Sequence, residues 1–233
     1  MTNRGAHHRC LAVCPPGVEG VCAAELTGQG VRIRRTFRGG VEFGASDRQL
    51  YTANLWTRTA TRIVVRVAAF TAGGFAELDA ALAEIPWEPW MPPGTRPSVR
   101  VSSTASRLYH TGAVAERVAA AMGTVPGEGP LVVVRLVHDR VMVSVDSSGE
   151  PLHRRGWRLQ TAKAPLRETL AAAAVLASGW DPTAPLVDPF CGSGAIVIEA
   201  ALIAAGLPPG GGRPFAFQSW PSFAPGTWAS VAG

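Results

Sequence analysis

The segment Pro185–Ala201 constrains the fold of this chain more than any other. An apolar stretch ends in Asp188, a turn carries Gly192 and Gly194, and an apolar helical stretch begins at Ala195. In open α/β sheets, ligands bind outside the carboxyl ends of strands. Glycines there let a ligand approach the backbone, and a helix N-terminus offers free N–H groups. The segment therefore predicts a strand, a ligand-binding turn and a helix of an α/β domain.

The turn differs from the two common nucleotide-binding loops. The Gly-Lys-Ser/Thr ending of a phosphate loop is absent, and the Gly-x-Gly-x-x-Gly spacing of dinucleotide sites also fails. A Gly-x-Gly pair alone is more often a structural turn than a binding site. The complete string Asp-Pro-Phe-Cys-Gly-Ser-Gly, with Ile-Glu-Ala-Ala following in the helix, is far more specific.

Composition excludes several classes of protein. With 47% hydrophobic residues in 233, the chain can bury a core and is neither disordered nor a coiled coil. A net charge of +5 permits an anionic partner such as nucleic acid without requiring one. The longest apolar stretches are too short to span a membrane, and we expect a soluble, cytoplasmic protein with no membrane partner. The four cysteines match no common zinc pattern, so we expect no metal, and Cys10 and Cys14 are predicted to pack in the core.

Periodicity divides the chain into three sections. Residues 8–62 read as strand–helix–strand–strand–helix, which suggests a small ferredoxin-like α+β domain. Residues 63–148 form a second α/β module with a hairpin across His138–Arg140. In residues 149–233 we predict a helix from Pro165 to about Ser178, a strand over Pro185–Asp188 and a helix over Ala195–Ala205. No periodicity is evident from Pro208 onward.

The string Asp188–Ala201 resembles the first cofactor-binding motif of S-adenosylmethionine-dependent methyltransferases. It is most similar to the branch that methylates exocyclic guanine nitrogens in RNA. Asp146–Arg158 and Ala162–Ala172 resemble the junction and opening helix of that branch, and Arg213–Pro221 also fits. The two N-terminal sections resemble the ferredoxin-like and THUMP RNA-binding domains of bacterial 23S rRNA guanine-N2 methyltransferases, most clearly at Asn54–Arg62.

This resemblance implies an α/β protein with an α+β N-terminal half. It assigns residues 8–62 to a ferredoxin-like domain, 63–148 to a THUMP domain and 149–233 to an incomplete Rossmann-like methyltransferase domain. It also implies S-adenosylmethionine as cofactor and RNA, in particular 23S rRNA, as partner. The implied cofactor-binding residues are Asp188, Pro189, Phe190, Cys191, Gly192, Ser193 and Gly194, together with Lys163, Pro165 and Leu166. One departure is Ala195, where the family usually has threonine.

Two further parts of the family pattern do not occur among the 233 residues. They are the acid after the second strand, which binds the ribose, and the Asn-Pro-Pro-Tyr loop that positions the target base. We therefore expect the chain to be truncated within its catalytic domain and inactive alone, with catalytic residues unknown. The alternatives are an RNA-binding module without activity, a tRNA guanine-N2 methyltransferase, or a related amino-methyltransferase acting on DNA adenine. The THUMP-like section argues against DNA.

A basic segment marks the candidate RNA contacts. No acid occurs from Pro151 until Glu168, and this stretch carries Arg154, Arg155 and Arg158. Because arginine forms bidentate hydrogen bonds with phosphates and stacks on bases, the segment predicts a linker that faces RNA. The alternative is a solvated, arginine-rich loop. Two further RNA contacts are predicted in the second section, at Arg100 and Arg107. We expect Glu199 to brace the glycine turn rather than to act as a catalytic acid.

Overall fold

The computed structural model describes residues 7–157 and 166–233. These residues form two compact units. The first unit comprises the described residues up to Ile63, those from Glu150 to Pro214, and Ala224–Gly233. The second unit comprises Val64–Gly149 and Phe215–Phe223. The three domain boundaries taken from the sequence stay a prediction.

The first unit begins with a β-α-β-β-α arrangement. Its elements are β1 (His8–Val13), α1 (Glu19–Gly28), β2 (Arg32–Phe37), β3 (Gly40–Ala45) and α2 (Asp47–Trp56). The strands are antiparallel in the order β2-β3-β1. Alternation along β1 buries Cys10 and Ala12, opposite Phe43 and Val41 of β3. The ferredoxin-like order and the buried cysteines predicted from the sequence are confirmed.

Local sequence signals set the start of α2. The Ser46 hydroxyl accepts a hydrogen bond from the Gln49 backbone N–H at 3.3 Å. In return, the Gln49 side-chain oxygen accepts from the Ser46 N–H at 3.0 Å. This reciprocal capping satisfies two backbone donors that the first helical turn leaves without a partner.

The second unit contains a mixed sheet in the order β4-β7-β6-β5. The elements are β4 (Arg62–Thr71), which starts at the end of the first unit, α3 (Phe75–Ala83), β5 (Ser98–Thr104), α4 (Thr111–Ala121), β6 (Leu131–Val137) and β7 (Arg140–Asp146). β5 and β6 are parallel, and the other pairs are antiparallel. The predicted hairpin is confirmed, with φ of +50° at His138 and +60° at Asp139. Two successive positive φ values match the twist of the flanking strands.

Three more helices complete the first unit: α5 (Glu168–Ala177), α6 (Ala195–Ala204) and α7 (Pro225–Ala232). α5 begins at Glu168, three residues later than predicted, and Pro165 lies outside the described residues. Although the sequence shows no periodicity from Pro208 onward, this part of the chain contains the helix α7. Pro225 presets the backbone at the first turn of α7, and Trp228 packs edge-on against Tyr51 with 6.3 Å between ring centroids.

The predicted strand over Pro185–Asp188 is wrong. These residues are not in a β-ladder, and Val187 is 84% exposed. A strand exists only where a neighbouring strand supplies hydrogen-bond partners. None of the strands in the described part of the chain lies beside this segment.

Within residues 7–157 and 166–233, no helix is long and apolar enough to cross a membrane.

Candidate cofactor site

The glycine turn before α6 has a backbone that only glycine adopts readily. Gly192 has φ of +53° and Gly194 has φ of +76°. The Gly194 N–H donates to the Cys191 carbonyl at 2.7 Å, and its own carbonyl accepts the first helical hydrogen bond, from Ile198 at 2.9 Å. The backbone N–H groups that follow Gly194 open the helix and have no acceptor within it. The turn therefore offers backbone donors and the positive end of a helix dipole.

Most side chains around this turn are accessible. Asp188 is half-buried, and its Oδ1 accepts a hydrogen bond from the Phe190 N–H at 3.0 Å. Phe190 is 93% exposed, and Leu166, ahead of α5, is 41% exposed. Pro189, Cys191 and Gly192 are also exposed, and Ser193 is half-buried. Lys163 lies outside the described residues, as Pro165 does.

A buried carboxylate lies one turn into α6. Glu199 has 0% exposure, and its Oε1 accepts a hydrogen bond from the Arg155 Nε at 3.0 Å. Its Oε2 lies 3.6 Å from Nη1 of Arg58. Two guanidinium groups thus hold this carboxylate, and the bracing of the glycine turn predicted for Glu199 stays a prediction.

Arg155 is only 6% exposed, although the sequence predicts that it faces RNA. Its Nη1 donates to the Leu152 carbonyl at 2.9 Å, and its Nη2 donates to the Arg58 carbonyl at 2.7 Å. Because its Nε also donates to Glu199, all three nitrogens of the guanidinium form hydrogen bonds with acceptors inside the first unit. A buried carboxylate requires such a partner, and this outweighs the tendency of arginine to remain in water. Arg155 is thus a structural residue.

Arg58 was not among the predicted site residues. Its Nη2 donates to the carbonyls of Leu202 and Leu207 at the end of α6. Burial lowers the pKa of Arg58, and the nearby Glu199 carboxylate opposes that shift. Its position in the recognisable stretch Asn54–Arg62 was the available signal, but the sequence did not reveal that its side chain is buried.

A second carboxylate balances the charge around Arg58. Glu25 of α1 accepts hydrogen bonds from the Arg58 N–H at 2.6 Å and from the Thr59 N–H at 3.1 Å. Burial raises the pKa of Glu25, and these hydrogen bonds oppose the shift. Two arginines and two glutamates thus connect the ferredoxin-like part of the first unit with α6. We call Glu25, Arg58, Arg155 and Glu199 the buried ion cluster.

The other predicted RNA contacts are exposed where the structure describes them. In the first unit, Arg154 is 68% exposed and pairs with Glu150 at 2.6 Å. In the second unit, Arg100 of β5 is exposed, and Arg107 pairs with Asp139 at 2.8 Å. Hydrogen bonds from the Arg107 backbone and side chain lower the pKa of Asp139. Arg158 lies outside the described residues.

Two family profiles match the chain. Residues 155–229 match the RMKL-like methyltransferase domain, and residues 9–64 match the RlmL ferredoxin-like domain. The two matches support a methyltransferase of the RMKL-like class. The second match coincides with β1 through the start of β4, and the first covers the glycine turn, α5 and α6.

Individual relatives agree with this family. The ribosomal RNA large subunit methyltransferase K/L of Vibrio parahaemolyticus is 36% identical over 235 residues, covering 95% of this chain and 33% of that protein. The protein of the same name from Syntrophotalea carbinolica is 37% identical over 228 residues, covering 90% of this chain and 32% of its own length. The chain thus spans about a third of these curated relatives.

A solved structure of similar fold carries a ligand. SMU.472, crystallised in complex with SAH (S-adenosylhomocysteine), has a TM-score of 0.85 and 30% identity to this chain. The match covers 97% of this chain and 63% of SMU.472.

Proposed function

We propose that the protein containing this chain uses S-adenosylmethionine to methylate the exocyclic N2 of a guanine in 23S rRNA. The glycine turn at the start of α6 carries the proposal, because its two positive-φ glycines lie within the match to the methyltransferase domain. The SAH complex of SMU.472 and the names of the K/L relatives support the cofactor and the rRNA substrate. Such a substrate would place the protein in the cytoplasm.

The residues of the turn fit this cofactor. S-adenosylmethionine carries an ammonium group, a carboxylate and a sulfonium-bound methyl group, and it supplies that electrophilic methyl. The half-buried carboxylate of Asp188 suits the ammonium group, and the N–H groups after Gly194 suit the carboxylate. The exposed ring of Phe190 offers apolar surface. We propose the whole turn as the contact surface: Asp188, Pro189, Phe190, Cys191, Gly192, Ser193 and Gly194, with Lys163, Pro165 and Leu166 beside it.

We assign the RNA contacts to exposed arginines of both units. They are Arg154, Arg100 and Arg107, with Arg158 as a further candidate from the sequence. In this proposal the second unit corresponds to the THUMP RNA-binding domain. Arg155 is left out, because its guanidinium is buried on Glu199.

Nucleoside analysis tests the reaction. The complete product of the gene that encodes this chain is incubated with unmodified 23S rRNA and S-adenosylmethionine, and the digested RNA is analysed by mass spectrometry. We expect N2-methylguanosine from the complete product and none from the 233-residue chain, which contains no Asn-Pro-Pro-Tyr. Methylated adenine would refute the guanine assignment, and methylation of tRNA alone would support the tRNA alternative.

A pair of glycine variants tests the cofactor turn. Gly194 and Gly206 flank α6, and both have positive φ, +76° and +62°. Alanine at either position costs about 1 kcal/mol of backbone strain. We expect Gly194→Ala to weaken SAH binding to the complete gene product at least about tenfold by calorimetry, whereas Gly206→Ala leaves it unchanged. Equal SAH affinities for the two variants would remove the turn from the cofactor site.

A further inference from the structure

One face of the ferredoxin-like part of the first unit is not covered by any helix of residues 7–157 and 166–233. α1 packs on β2 and β3, and α2 packs on β1 and β3. The core side of these strands carries Cys10, Ala12, Val41 and Phe43, which are buried. The pairing of Arg32 with Gly44 and of Arg35 with Glu42 places both arginines on the opposite side.

A β-bulge brings a third arginine to this open face. The pairing of β2 with β3 shifts between Ile33 and Arg35, so Arg34 has no partner residue on β3. Without the shift, strict alternation would point Arg35 toward the core. With it, Arg34 and Arg35 both lie on the open face. The Nε of Arg34 would be 3.4 Å from a Cβ at Gly44, which places that side chain over the sheet.

Most of the positive charge on this face has no ion-pair partner among the described residues. Residues 26–41 contain four arginines and no acid. Arg32, Arg34 and Arg35 are exposed, and none of them forms an ion pair with another described residue. Glu42, the acid that follows, lies 3.4 Å from Arg9 of β1. The three arginines therefore have charges and donors available for an anionic partner.

An aromatic ring lies among these arginines. The Arg35 guanidinium carbon is 5.6 Å from the centre of the half-buried Phe37 ring. A Cβ at Gly40 would come within 3.1 Å of that ring, so glycine allows Phe37 to lie across the sheet. Arginines beside a partly exposed aromatic ring on a sheet face suit a single RNA strand, whose bases stack while its phosphates pair with guanidinium groups.

We propose that this surface, the arginine face of Arg32, Arg34, Arg35 and Phe37, binds a single-stranded segment of the RNA. The inference rests on the proposed function for the nature of the nucleic acid, and it adds a contact surface outside the predicted RNA-binding residues. Arginines on an edge strand also discourage edge-to-edge pairing. That role requires charge alone and explains neither the bulge that turns Arg34 and Arg35 to one face nor the ring beside them.

The test compares matched charge variants of the 233-residue chain. Arg32→Gln/Arg35→Gln and the control Arg48→Gln/Arg96→Gln each remove two positive charges from a net charge of +5. In the control, Arg48 donates to Ser230 on α7 and Arg96 donates to Pro126, so neither lies on the arginine face. Binding to a fluorescein-labelled RNA single strand is measured by anisotropy between 50 and 200 mM salt, with folding verified by circular dichroism.

We expect the arginine-face variant to bind at least about tenfold more weakly at 50 mM salt, with the slope of log K against log salt reduced by about 1.4. The control should change affinity less than about twofold. Phe37→Leu should weaken binding of the single strand but leave the salt slope unchanged, because stacking releases no counterions. This variant also keeps the test informative if the double variant folds poorly.

The outcomes separate the two proposals. If the wild-type chain binds RNA and the two double variants bind equally, the arginine face is refuted while the methyltransferase proposal stands. Tighter binding of an RNA duplex than of the single strand would also refute it. If the wild-type chain binds no RNA at all, the inference fails, and nucleoside analysis of the complete gene product decides the proposed function independently.

Discussion

Breaking the ion pair between Arg155 and Glu199 should destabilise the first unit strongly. Arg155→Met removes the Nε–H that donates to Glu199 at 3.0 Å and leaves a carboxylate of 0% exposure with Arg58 as its remaining cation. Removing one partner of a buried pair costs about 3–5 kcal/mol, because the other charge stays desolvated. Two carbonyl acceptors, on Leu152 and Arg58, also lose their donors.

The neighbouring residue provides the control. Arg154→Met removes an ion pair to Glu150 whose two side chains are 68% and 67% exposed. Exposed pairs contribute about 0–1 kcal/mol, since water replaces the lost partner. The two variants make the same chemical change at adjacent positions, so the difference in free energy of unfolding reports burial of the partner rather than loss of an arginine.

Urea unfolding monitored by circular dichroism measures the change in the free energy of unfolding of each variant. Because the chain has two units, hydrogen exchange at the α6 amides should be recorded as well, and it should show the same loss of protection. A double variant, Arg155→Met/Glu199→Leu, should recover part of the loss, although Arg58 then lacks its carboxylate. If the free energies of unfolding of Arg155→Met and Arg154→Met differ by less than about 1 kcal/mol, the Arg155–Glu199 ion pair contributes no more than a surface contact and the reasoning is refuted.

Two further predictions concern other positions. Burial lowers the pKa of His153, so the unfolded chain binds the proton more readily and stability is lost as pH falls below the ordinary histidine value of about 6.5. His153→Gln should therefore reduce the drop in Tm between pH 7.5 and 5.5; an unchanged drop would contradict this origin. Phe217 is fully buried in the second unit, with its N–H donating to Ser147 at 3.1 Å. Phe217→Ala should cost about 3–5 kcal/mol in urea unfolding, and a cost below 1 kcal/mol would show that residues 215–223 do not stabilise that unit.

The sequence predicted elements well where the signal is local. The strand–helix–strand–strand–helix order of residues 8–62 and the hairpin across His138–Arg140 were predicted, because capping and turn chemistry act within a few residues. The prediction of a strand over Pro185–Asp188 was wrong because a strand needs a neighbouring strand as hydrogen-bond partner, and the periodicity of a segment does not show whether such a neighbour exists. The helix α7 was missed because it is eight residues long and its main packing partner, Tyr51, is distant in sequence.

The candidate site shows the same limit. The glycine turn was predictable, since positive φ requires glycine and the motif is contiguous. The direction of each arginine was not, because Arg154 and Arg155 are identical in local pattern. One remains in water, and the other is drawn inward by a carboxylate 44 residues away. Only the three-dimensional position of Glu199 decides between them.

The buried ion cluster links the ferredoxin-like part of the first unit to α6, the helix that follows the glycine turn. Arg58 precedes β4, yet its guanidinium holds both the Glu199 carboxylate and carbonyls at the end of α6. The segment that carries Leu152 and Arg155 is also tied to the N-terminal part of the chain, because the Leu152 N–H donates a hydrogen bond to the Thr61 carbonyl at 2.7 Å. α6 is thus held in part by the Arg58 side chain, which comes from the N-terminal part of the chain. In physical terms, Arg58 of the ferredoxin-like part supplies one of the two guanidinium groups that make a buried carboxylate in α6 tolerable, and Arg155 supplies the other.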